Sequence, residues 1–93
     1  MKDCLSILKM RLGISTDKRD DYLKSLLKSL IVEFKEIHGI NINILNEYQK
    51  MFLIDFAEFR YNYKGEDKKD IPRHLKWRFN NIYIKSKLGG KNE

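Results

Sequence analysis

Apolar residues recur along this chain at spacings of three and four, and no stretch alternates strictly with period two, so the pattern predicts helices and no strands. Glycines and the single proline cut it into four helical stretches. The first runs from about Lys2 to Leu12, with Leu5, Leu8 and Leu12 flanked by Ile7 on one face; Gly13 is its left-handed stop, and Ile14 folds back onto it. Ser15, Thr16 and Asp17 offer cap oxygens to the second, and Asp20 and Asp21 suit the positive end of its dipole. Its stripe of Tyr22, Leu23, Leu26, Leu27, Leu30, Phe34 and Ile37 continues to His38, with Gly39 as C-cap.

Asn43 or Asn46 caps a third helix that reaches about Tyr63, closed by Lys64 and Gly65. Tyr48, Met51, Phe52, Phe56, Phe59 and Tyr63 make its main stripe. Leu53, Ile54, Ala57 and Tyr61 cover much of the remaining circumference, so this helix should be central, with neighbours on several sides. A charged loop follows; Asp70 then caps a fourth helix with Pro72 in its tolerant first turn, continuing to about Lys87. The expected fold is all-α: a small four-helix, bundle-like domain with two long central antiparallel helices and a basic C-terminal helix, spanning residues 1–88, before a disordered tail at 89–93.

The fourth helix carries two apolar stripes. Ile71, Leu75, Phe79 and Ile82 form one, and Trp77, Ile84 and Leu88 lie on nearly the opposite side. A domain this small buries only one of them. The second lies among Arg73, Lys76, Arg78, Lys85 and Lys87, which reads as a surface for a partner.

Charge sharpens this reading. Met1 to Tyr63 holds ten Lys/Arg against nine Asp/Glu, whereas Lys64 to Glu93 holds nine against four, so the last thirty residues carry +5 of the +6 net charge. A basic helix invites nucleic acid, with Trp77 or Tyr83 stacking on a base. Large apolar groups on the same face ask instead for protein. Asp55 stands within the apolar stripe of the third helix, where a lone carboxylate needs a partner. Two readings stay open there: a rim carboxylate accepting from a tyrosine or basic side chain, or an ion pair across a subunit interface.

Little else carries chemistry. His38 and His74 lack metal-ligand spacing, Cys4 reads as a small buried hydrophobe, no glycine elbow surrounds any serine, and no phosphate loop is present. The acidic residues read as solvated and locally paired, Glu33 and Glu36 with Lys35. The expectation is a non-enzyme without cofactor or metal. No apolar run approaches the roughly 20 residues a membrane helix needs, and no secretory signal is evident, giving a cytoplasmic address.

Three segments stand out in order along the chain: Leu5-Ser-Ile-Leu-Lys-Met-Arg-Leu-Gly-Ile14, followed by Ser15-Thr-Asp17 and Asp20-Asp21-Tyr22-Leu23; then Phe59-Arg-Tyr-Asn-Tyr-Lys-Gly-Glu66; and last Asp70-Ile-Pro-Arg-His-Leu75. Together they resemble the small helical head-tail connector proteins of tailed phages, related to a group described as putative DNA-packaging proteins. Each motif is short, and their order and spacing from Leu5 to about Lys87 make the case. Bulky Met51, Phe52, Phe56 and Phe59 replace the alanines common in that family, and the loop before Pro72 is short. The resemblance implies a structural adaptor: a ring subunit, typically one of about twelve, that joins the portal protein to tail components during virion assembly. It places the protein at the head-tail junction of the virion, after a period in the host cytoplasm, with DNA passing through the lumen without sequence recognition. The alternatives are a small basic helical DNA-binding protein and an adaptor for a host complex.

Overall fold

The computed structural model describes residues 1–63 and 71–89, with side chains through residue 87. It is all-helical: α1 (Lys2–Leu12), α2 (Asp20–His38), α3 (Glu47–Asn62) and α4 (Arg73–Gly89) form a small helical bundle, with no strand among the described residues. The expected closure of α3 by Lys64 and Gly65, the cap at Asp70 and the tail beyond Gly89 lie outside the described residues.

The two glycine stops adopt the left-handed conformation, Gly13 at φ 72° and Gly39 at φ 71°. Glycine enters this region without the Cβ penalty other residues meet. The next residue in each case closes the helix end: the Ile14 amide donates to Lys9 carbonyl at 2.9 Å and the Ile40 amide to Phe34 carbonyl at 2.9 Å. Ile40 thereby turns inward and is 1% exposed.

Helix starts differ from expectation in one place. Asn46 caps α3, its side chain accepting from the Gln49 amide at 3.0 Å. At α2 the cap position falls to Arg19, with no side-chain cap bond, so Ser15, Thr16 and Asp17 are not used. Asp17 and Asp20 instead meet Lys9 of α1, at 3.4 and 2.7 Å. A link between helices takes the place of a local one.

Helix α3 is the hub, packing against α1, α2 and α4. Its Phe52, Leu53, Ile54 and Ala57 are fully buried, joined by Leu8 from α1, Leu23, Leu27 and Leu30 from α2, and Leu75 from α4. Burying each of the leucine, isoleucine and phenylalanine side chains among them contributes roughly 1.5–3 kcal/mol. Phe34 sits where three helices meet, with ring centroids 5.6 Å from Phe52, 5.4 Å from Phe56 and 6.0 Å from Phe79. Contacts between α2 and α3 run in opposite order: Tyr22, early in α2, meets Tyr61 late in α3, while Phe34, late in α2, meets Phe52 early in α3.

The stripes fray at their ends. Ile37 and Tyr22 of α2, Tyr48 of α3 and Tyr63 at its C-cap are exposed although they continue the apolar pattern. Glu33 also departs from its expected local pairing with Lys35, meeting Arg60 of α3 at 3.3 Å.

A two-sided terminal helix as the candidate functional site

Pro72 leads into α4, its carbonyl accepting from the Leu75 and Lys76 amides at 3.0 Å each. Proline fits here because the first helical turn leaves its own N–H groups without intrahelical acceptors. Leu75 and Ile82 then bury against α3, and Ile71 and Phe79 pack half-buried beside them. His38 of α2 steadies this face, its ring centroid 4.9 Å from that of Phe79 in an edge-on arrangement.

The opposite face is bare. Trp77 is 65% exposed and Ile84 51%. These two lie seven residues apart, about two turns, so both point the same way from the bundle. The side chain of Leu88, third of the expected stripe, lies outside the described residues. Asn80 and Asn81 occupy the turn between Trp77 and Ile84.

Around this face Arg73, Lys76, Lys85 and Lys87 are solvent-exposed. Lys87 lies over the ring of Tyr83, 5.3 Å from its centroid, which directs the ammonium along the helix. Arg78 departs from the expected cationic set. Its side chain is only 18% exposed and donates to Asp55 Oδ2 at 2.7 Å, with its guanidinium against the rings of Tyr48 and Phe52. Its register explains this, because Arg78 stands three residues after Leu75 and four before Ile82, on the buried side.

Asp55 has both oxygens occupied within the chain. Arg11 of α1 donates to Oδ1, Arg78 of α4 donates to Oδ2, and Arg11 also lies 3.4 Å from Glu58. The rim reading of Asp55 therefore describes its position, with arginines rather than a tyrosine as donors. An interface ion pair is not needed to compensate its charge. Arg11 was not legible as its partner from local spacing, since forty-four residues separate the two. The remaining signal was its register one turn after Leu8, which turns Arg11 toward the core's edge.

A cleft of about 240 Å³ opens between α2, α3 and α4, floored by Phe34, Phe56 and Phe79 and edged by the Glu33–Arg60 pair, His38 and Lys76. It adjoins the buried face of α4 and not the Trp77 face. No three His, Cys, Asp or Glu side chains among the described residues are grouped to hold a metal ion. Cys4 is buried, and loss of hydration pushes its thiol above the ordinary value. Lys9 is also raised, by its hydrogen bond to Asp20. No helix among the described residues is long and apolar enough to cross a membrane.

Comparison with protein families, with curated proteins and with solved structures found no match to this chain.

Proposed function

We propose that this chain is a structural adaptor subunit of a tailed-phage head-tail connector ring, joining the portal protein to tail components during virion assembly and performing no catalysis. One observation carries the reading: α4 buries Leu75 and Ile82 while Trp77 and Ile84 on its far face stay exposed. A tryptophan and a β-branched aliphatic held in water on a rigid helix, ringed by cations, form the kind of anchor that protein interfaces bury. The order of motifs from Leu5 to about Lys87 adds the connector resemblance.

In this reading two long central antiparallel helices, α2 and α3, make the rigid body, and α4 is the docking element. Trp77, Ile84 and Leu88 anchor the neighbouring protein, and Arg73, Lys76, Lys85 and Lys87 steer it by charge. Arg78 serves chiefly to hold α4 to α3. The partners are the portal and other head-completion or tail proteins, with further copies of the chain in the ring and DNA in its lumen. The protein resides at the head-tail junction of the virion and, before assembly, in the host cytoplasm.

The experiment is a Trp77→Ser/Ile84→Ser double variant supplied during particle assembly. A folded protein that no longer enters particles supports the adaptor role, and undiminished incorporation overturns it.

A further inference from the structure

A second charged surface lies on α2. Lys24, Lys28 and Lys35 are spaced by four and seven residues, which aligns them along one side of the helix, and all three are exposed. None of the three has an ion-pair partner among the described residues, a condition they share with the exposed cations of α4, Arg73, Lys76, Lys85 and Lys87, so what sets them apart is their alignment in one row. Lys24 and Lys28, at i and i+4, repel each other and so work against helix formation. The row stands about 100° round α2 from Phe34 and about 60° from His38, the two residues that meet Phe79 on the buried face of α4, so it is separate from the Trp77 face on the far side of that helix.

We propose that this row is a contact surface for the phosphate backbone of double-stranded DNA, bound without regard to sequence. From Lys24 to Lys35 it spans about 16 Å, roughly half a turn of duplex. Its chemistry selects among polyanions. Lysines are depleted from protein interfaces, and this row lacks the aromatic or arginine anchor of one; its apolar neighbours are the partly buried Ile31 and the exposed, small Val32. Single strands are held by stacking on aromatic rings, and none stands in the row. Base edges are read by Arg, Asn or Gln, also missing here, which leaves compact point charges on flexible stems that position a backbone and read nothing. Asp20 and Asp21, one turn before Lys24, limit the row at that end, and Glu36 stands next to Lys35 at the other.

The inference stands on charge placement and does not need the adaptor reading, so its assay fails independently of particle incorporation. Binding of the full-length protein to a fluorescently labelled mixed-sequence duplex is followed by anisotropy between about 50 and 200 mM salt. Lys24→Gln/Lys28→Gln/Lys35→Gln is compared with Arg73→Gln/Lys76→Gln/Lys85→Gln, and both are checked for native helix content. The α2 variant is expected to bind roughly tenfold more weakly or worse at the low-salt end. Its slope of log K against log salt should shrink by about 2 to 3, as three lost phosphate contacts require. Wild-type affinity and slope in that variant overturn the proposal. So does loss confined to the α4 variant, absence of duplex binding by the parent at low salt, or lysine-dependent binding of labelled polyglutamate without duplex binding, which assigns the row to an acidic protein.

Discussion

Arg78 on α4 donates to Asp55 on α3 across 2.7 Å, in a setting where each side chain keeps less than a fifth of its surface in water. With Arg11 on the second oxygen, one carboxylate fastens α1 and α4 to the hub helix. The network sits at the rim of an otherwise apolar core, where partial desolvation strengthens attraction and makes a missing partner costly.

Removing the carboxylate leaves two guanidinium groups facing each other. Asp55→Ala is expected to lower stability by about 2 kcal/mol, read from the urea midpoint. An Asp55→Ala/Arg78→Met cycle should show a coupling of about 1 kcal/mol. Strictly additive losses would mean that the two residues act separately.

The faces of α4 predict opposite responses. Leu75→Ala or Ile82→Ala should cost about 2–4 kcal/mol, because each opens a cavity against α3. Trp77→Ser and Ile84→Ser should each change stability by no more than about 0.5 kcal/mol. Thermal melts of the four variants decide it, and a large loss at Trp77 would mean that the indole supports the fold of the lone chain.

Capping separates α3 from α2. Asn46→Ala is expected to cost about 1 kcal/mol through loss of the bond to the Gln49 amide. Ser15→Ala and Thr16→Ala, whose hydroxyls do not cap α2, should be nearly neutral. Equal losses at all three positions would contradict the cap assignment.

Stability should decline in alkali. Burial raises the Cys4 thiol above its ordinary value of 9.0, so both states keep the proton below that pH and the unfolded chain releases it first above. Lys9, raised above 10.5 by Asp20, holds its contribution in full below that value and loses it as pH rises through the folded-state pKa. Urea midpoints should therefore hold steady up to about pH 9 with respect to these two groups and fall beyond it. Lys9→Met should start lower and fall less steeply above pH 10.5. An equally steep fall in that variant would remove Lys9 from the account.

Much of the architecture was legible locally. Gly13 and Gly39 mark helix ends through backbone chirality, and Asn46 marks a start through its short side chain, so each signal is contained within one turn. The apolar spacing likewise separates Leu75 and Ile82 from Trp77 and Ile84. Arg78 was also legible in principle, since its register falls between Leu75 and Ile82. Its charge suits a surface, but its register places it against Asp55. Asp17 departs from its expected place for a related reason: it suits a cap by type, yet Lys9 on α1 lies close enough to compete for it.

The sequence by itself determined the helices and the two opposed faces of the last one, because 3.6-residue periodicity and terminal backbone sterics act among near neighbours. Tertiary structure alone decided which charges are spent internally. Arg11 and Asp55, Glu33 and Arg60, and Lys9 and Asp20 come from different helices, and only packing fixes the distances on which attraction and desolvation depend. That packing leaves Trp77 and the lysines of α2 facing water while it draws Arg78 into the bundle.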